Sequence, residues 1–186
     1  GTHNKGKFRE IAYLISKKYK KISPVSLKIK SPKETGKSFI SNSKLKVNYF
    51  SKFVDYPVIS DDSGLCIKAL NNKPGIYSAR LAKKYGGFLK AMKFILKKME
   101  KVKNRRASFV CSLSYKNIKG KIVIAEGRLE GNISKKILGK KGFGYDPIFI
   151  PLKGKVTLGQ MSRFKKIKMD HRFIAFKKLK SKIKIL

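Results

Sequence analysis

The sequence predicts a mixed α/β fold. Three features carry that expectation: apolar residues recur at helical spacing in several stretches, short apolar runs bounded by Gly, Pro and Asn read as strands, and the two kinds alternate early before strands pair locally in the middle. A chain of 186 residues can bury a real core, so a single domain over 1–186 is expected. Apolar residues make up 41%, with 12 Phe and 8 Tyr, which argues against intrinsic disorder despite the charge.

The elements follow in order. Phe8, Ile11, Ala12 and Ile15 lie behind the polar opening Thr2-His3-Asn4-Lys5-Gly6-Lys7, so a loop should feed a helix of about three turns. That loop has the look of a strand-to-helix turn, and the sequence opens one residue before it; the expectation is an incomplete start that lacks the first strand. Pro24, Pro32 and Gly36 leave room for short strands at most. Phe39, Val47, Phe50 and Val54 predict a second helix from near Ser38. Val58-Ile59 reads as a buried strand ending at the pair Asp61-Asp62, and Asn71 to Gly75 as a turn. Phe88, Leu89, Met92, Ile95, Leu96 and Met99 form the cleanest amphipathic helix. Ala107 to Tyr115 and Lys121 to Glu126 predict two strands of a hairpin around Asn117-Ile118-Lys119-Gly120. A Gly-rich loop at Gly139 to Gly144 precedes the apolar Pro147-Ile148-Phe149-Ile150, and Ile174, Phe176, Leu179 and Ile183 predict a closing helix.

Lys and Arg number 47 against 10 Asp and Glu, a net charge of +37 that invites a nucleic-acid reading. Only 7 of the 47 are Arg, the residue suited to bidentate base and phosphate contacts, and the basic residues are spread along every segment. A solvated Lys-rich exterior with weak polyanion binding is therefore expected, and no specific nucleic-acid partner. Small anionic substrates would be drawn to it. No apolar run approaches the roughly 20 residues of a membrane span and no signal-peptide pattern opens the chain, so the expected location is cytoplasmic. Cys66 and Cys111 lie in apolar strand-like runs without metal-ligand spacing, as buried thiols in a reducing compartment would.

Four stretches could carry chemistry, and each has a plainer reading. In Ser60-Asp61-Asp62-Ser63-Gly64-Leu65, adjacent carboxylates on extended backbone face opposite sides, so one can bind a divalent metal or take a proton from water. Gly64 would let backbone approach a ligand; the plainer reading is an Asx turn with a helix cap. Thr2 to Lys7 could cradle phosphate at a helix N-terminus, or simply cap that helix. Gly142-Phe143-Gly144-Tyr145-Asp146-Pro147 sets two aromatics beside an acid, suited to stacking a base and bonding its edge, or to a tight turn with core aromatics. Lys166 with Asp170-His171-Arg172 forms a basic cluster before the last helix, or a helix start capped by Asp170.

In this order the stretches resemble one family, the inosine/xanthosine triphosphate pyrophosphatases that remove deaminated purine nucleotides from the pool. Thr2, Asn4 and Lys7 match its T-x-N-x-x-K loop, and Phe39, Asn42 and Lys46 its F-x-x-N-x-x-x-K helix. Asp61 to Leu65 matches D-D-S-G-L, Pro74 to Arg80 the P-G-x-Y-S-A-R segment, and Gly142 to Phe149 the string GFGYDPIF. Thr157, Met161, Lys166, His171 and Arg172 fit the closing pattern, so the likeness spans nearly the whole chain.

The resemblance implies an elongated mixed α/β fold with two lobes around a central cleft, commonly a homodimer, and Mg²⁺-dependent hydrolysis of ITP, dITP and XTP to the monophosphate and pyrophosphate. Asp62 would be general base and metal ligand, with Ser63 touching the substrate. Thr2, His3, Asn4, Lys5, Gly6, Lys7 and Lys46 would hold the triphosphate. Phe143, Gly144, Tyr145 and Asp146 would frame the base, and Lys166, His171 and Arg172 would read the six-oxo group. Departures bear on the metal: Lys33-Glu34 stands where many members carry two acids, so the second ligand is lost or moved to Glu34. Ser41 and Gln160 replace acids, and Phe173 replaces a frequent Gly. A non-enzymatic polyanion or RNA binder and a pyrophosphatase with another nucleotide preference are the alternatives.

Overall fold

The computed structural model describes residues 1–183. Helices α1 (Lys5–Leu14), α2 (Phe39–Phe50), α3 (Ser78–Lys84), α4 (Phe88–Lys98), α5 (Arg163–Ile167) and α6 (His171–Lys182) accompany strands β1 (Val58–Ile67), β2 (Lys73–Pro74), β3 (Arg106–Lys116), β4 (Ile122–Ile133) and β5 (Phe149–Pro151). The strands form one five-stranded sheet in the order β2-β1-β3-β4-β5, which makes the chain the mixed α/β protein that its periodicities predict. Strand β2 runs antiparallel to β1 with Pro74 opposite Cys66, and β5 antiparallel to β4 with Ile150 opposite Asn132.

The chain divides into two compact units, one of Gly1–Asp62, Cys111–Gly127 and the segment from His171, the other of Ser63–Val110 and Arg128–Asp170. In the first, Ile11 of α1, Cys111, Leu113 and Tyr115 of β3, Ala125 of β4, and Ala175, Phe176 and Leu179 of α6 form one apolar cluster. Val47 and Phe50 of α2 pack with Val58 in a second. Ser43, the polar residue within the α2 stripe, pins that helix to β3: its hydroxyl lies 3.0 Å from Ser112 Oγ and 2.8 Å from Ser114 Oγ. In the second unit, Leu65 and Ile67 of β1 pack with Met92 and Ile95 of α4, Phe109 of β3, Ile133 of β4 and Phe149 of β5. Both cysteines are buried, free thiols inside strands.

Most of the predicted elements stand where the spacing puts them. Strand β1 is a correction: it does not end at the acidic pair but runs through it to Ile67, so Asp61 and Asp62 are mid-strand residues. A run of Ser60, Asp61, Asp62 and Ser63 breaks the apolar pattern, and their partners come from distant segments that local periodicity cannot reveal. Val54 falls beyond the end of α2, although it still packs on Val47 and Phe50. Leu89 is 57% exposed, so the buried stripe of α4 is Ala91, Met92 and Ile95. Among the described residues no helix is long and apolar enough to cross a membrane.

Candidate active site

In the first unit the two carboxylates of β1 have separate partners, as alternation along a strand requires. Asp61 Oδ2 is 3.1 Å from Lys7 Nζ of α1 and 3.8 Å from Arg172 Nε of α6. Asp62 Oδ2 accepts from Asn42 Nδ2 at 3.1 Å, and its Oδ1 lies 3.5 Å from Lys46 Nζ, both on α2. The α2 stripe thus has a polar edge: Asn42 and Lys46 are four apart, one turn, and share the face that meets the strand. Asn42 also ties down the preceding loop, its Oδ1 accepting from Gly36 N at 2.8 Å. That loop brings Glu34, whose Oε1 is 2.7 Å from Lys46 Nζ. The departure at Lys33-Glu34 therefore leaves one carboxylate beside Lys46. The departure at Ser41 has a local account, because Ser38 and Ser41 form a reciprocal capping box at the start of α2.

The two aspartates differ in electrostatics. Burial would raise the pKa of Asp61, but Lys7, Arg172 and Lys46 together overcome it and hold the carboxyl well below the usual carboxylate range. For Asp62 burial wins over Lys46 and Lys7, with Glu34 and Asp61 adding to it, so its pKa lies above the ordinary value. Lys46 moves up from its usual value because Asp61, Asp62 and Glu34 outweigh its own burial. Neighbouring residues of one type are thus pushed apart, Asp61 downward and Asp62 upward from the ordinary value.

The opening loop caps α1 through Asn4, whose Oδ1 accepts from Lys7 N at 3.0 Å, while Thr2 Oγ1 accepts from Asn4 N at 3.2 Å. Lys5 and Gly6 lie in the first turn, and His3 is turned to the loop at 29, its Nε2 2.9 Å from Ile29 O. The capped start and the phosphate cradle are compatible, since the first-turn amides keep their positive end.

Glu10 is the residue that sequence reasoning missed. It is 5% exposed on α1, and its Oε2 accepts from Arg172 Nη1 at 2.9 Å. The available signal was its rarity, one of 10 acids in the chain, since helical spacing sets it opposite the predicted stripe of Phe8, Ile11, Ala12 and Ile15. Arg172 is 3% exposed, held by Glu10 and beside Asp61; His171, at the start of α6, is 2% exposed.

In the second unit the string Gly142 to Asp146 folds around one carboxylate. Asp146 Oδ2 accepts from Phe143 N at 2.8 Å and from Lys166 Nζ at 2.6 Å. The Lys166 ammonium also sits 4.5 Å from the Phe143 ring centroid, so acid, cation and aromatic face form one cluster. Lys166 belongs to α5 in this unit and Arg172 to α6 in the other. Tyr145 takes the core-aromatic alternative: it is 2% exposed, packs edge-on to Phe88 and donates its hydroxyl to Ser78 O at 2.9 Å. Gly144 follows Phe143 in the same turn, and Ser63 is half-buried on β1.

Gly64 answers why glycine follows this serine. A Cβ there would lie 2.1 Å from Gly75 O and 2.5 Å from Ser78 Oγ. Its absence lets the Gly75 to Ser78 turn close on β1, where Ser78 Oγ accepts from Leu65 N at 2.9 Å and donates to Gly75 O at 2.7 Å. The close approach is thus to the chain's own backbone. Gln160 has a local task as well, its Oε1 accepting from Thr157 N at 3.0 Å.

The profile of the Ham1 family matches residues 1–182. This chain belongs to that family. A relative from Dictyoglomus thermophilum, the dITP/XTP pyrophosphatase, is 40% identical over 96% of this chain and 90% of its own length. Among solved structures, a HAM1 protein from Coxiella burnetii is 30% identical with a TM-score of 0.88, covering 100% of this chain and 97% of its own. The Staphylococcus aureus Ham1 protein is 33% identical with a TM-score of 0.86 over 98% and 95%. Membership in the family accounts for the ordered motifs that run from Thr2 to Arg172.

Proposed function

We propose that the chain is a nucleoside triphosphate pyrophosphatase that hydrolyses deaminated purine nucleotides, ITP, dITP and XTP, to the monophosphate and pyrophosphate. The observation that carries this reading is the buried Asp62, held by Asn42 and flanked by Lys46 and Glu34, on a chain whose relatives are named dITP/XTP pyrophosphatases. Thr2 to Lys7 and Lys46 hold the triphosphate, with the amides of the first turn of α1 contributing positive charge. Asp62 takes a proton from water as its oxygen bonds to phosphorus and the bond to the departing pyrophosphate breaks. A pKa raised by burial suits a base that must hold that proton.

Hard oxygen donors at Asp62 and Glu34, already gathered on one cation, fit Mg²⁺ with substrate phosphate oxygens completing its shell. When bound, the ion offsets negative charge on those oxygens. Phe143 with Asp146 and Lys166 frames the base in the second unit and Ser63 meets the substrate; for Lys166, His171 and Arg172 the motif resemblance alone supports a part in reading the six-oxo group. Adenine's amino group would face buried donors left unsatisfied, at a cost of about 1–3 kcal/mol each. A homodimer and a cytoplasmic location belong to the same reading, supported by the motif resemblance and by two buried free thiols.

Pyrophosphate release from ITP, XTP, dITP, ATP and GTP, with and without Mg²⁺, tests the proposal. The expected result is release from the first three that depends on the metal. Equal rates on ATP would move the chain to a different preference, and none from ITP would remove the activity.

A further inference from the structure

We propose that Lys46 is a resident counter-ion that keeps a divalent metal off the Glu34 and Asp62 carboxylates until a nucleotide arrives. The inference rests on the metal-assisted reading given above. Lys46 Nζ is 2.7 Å from Glu34 Oε1 and 3.5 Å from Asp62 Oδ1, and the side chains of Lys46 and Asp62 are only 7% and 5% exposed. The ammonium therefore stands against one oxygen of each carboxylate, close on Glu34 and looser on Asp62. Two cations on that pair repel, most strongly at the buried Asp62, since Glu34 is 29% exposed.

Among the described residues no group of three or more His, Cys, Asp and Glu is set to hold a metal ion. Two carboxylates already neutralised by an ammonium make a weak site for Mg²⁺, which releases its water reluctantly and takes phosphate oxygens to complete its shell. A triphosphate changes both sides of the balance. It supplies oxygen ligands to the metal and a new anionic partner to Lys46, whose flexible four-carbon stem lets Nζ swing from carboxylate to phosphate. Metal and nucleotide then bind with positive coupling, and Lys46 is the element that couples them. The chain would hold little metal alone and acquire it with its substrate.

The test uses Mn²⁺ as the probe, with free Mn²⁺ read by electron paramagnetic resonance and no turnover required. Without nucleotide, Lys46→Met should bind Mn²⁺ at least about tenfold more tightly than the parent, and Lys46→Arg should stay as weak as the parent. Equal affinity in parent and Lys46→Met overturns the inference. The parent alone supplies a second measurement should that variant not fold: a non-hydrolysable inosine triphosphate analogue must raise Mn²⁺ binding beyond the sum for protein and analogue apart, and simple additivity also overturns it. Absence of pyrophosphate release from ITP would instead remove the enzymatic reading and leave these titrations intact.

Discussion

Two adjacent aspartates with opposite electrostatics give the sharpest predictions. Asp61 is fully buried against Lys7 and Arg172; in Asp61→Asn Arg172 keeps Glu10 while the partly exposed Lys7 loses its anion, so the fold should be destabilised by about 1–3 kcal/mol at pH 7. With a folded pKa below the unfolded one, the stability it contributes is present above the unfolded value and lost as pH falls through the folded one. Urea unfolding of parent and variant should show the gap at pH 7 and its progressive narrowing as pH falls below about 4, the ordinary aspartate value; a constant gap would contradict the ion-pair account. Asp62 is shifted the other way, so its ionisation opposes folding: its stabilising share is present below the unfolded pKa and lost as pH rises through the folded one. As the base it must be ionised, and kcat/KM on ITP should therefore fall on the acid side, with a midpoint above the ordinary aspartate value. A midpoint at or below that value would oppose the role. The pairing of residues 61 and 62 was legible because acids are so rare here. Glu10 was not, because its partner Arg172 lies 162 residues away and no local spacing connects them.

The elements that carry these residues were legible wherever one face is apolar and the other charged, as in α1, α2, α4 and α6. Strand β1 was half legible: an extended run with four polar residues at its centre has no apolar alternation to follow, and only its partners on α1, α2 and α6 explain it. The seven-residue α3 and five-residue α5 are too short to show a period. Contact between elements fixes where α6 presents His171 and Arg172. Gly127 of β4 lies under its first turn, where a Cβ would be 2.2 Å from His171 O and 2.3 Å from Ala175 N. Gly127→Ala must push that turn off the strand. The expected cost is about 1–3 kcal/mol by chemical unfolding, with a loss of activity larger than unfolding explains, because the guanidinium moves with the helix. An unchanged midpoint would show that β4 yields instead.

For the molecule as a whole, the charge of +37 leaves only 10 acids among 186 residues. Glu10, Glu34, Asp61 and Asp62 in the first unit and Asp146 in the second are each matched by a lysine or arginine within 4 Å. The ordered motifs made the family legible from sequence, whereas the division of labour among them needed coordinates: Tyr145 in the core, Gly64 against Gly75, Arg172 on Glu10. The most direct measurement compares pyrophosphate release from ITP by the parent and by Asp62→Asn, with the melting temperature of each recorded beside it. A fall in kcat of at least about a hundredfold, with a melting temperature equal to the parent's or higher, is predicted. A folded Asp62→Asn variant turning over ITP within about twofold of the parent would contradict the assignment of the base.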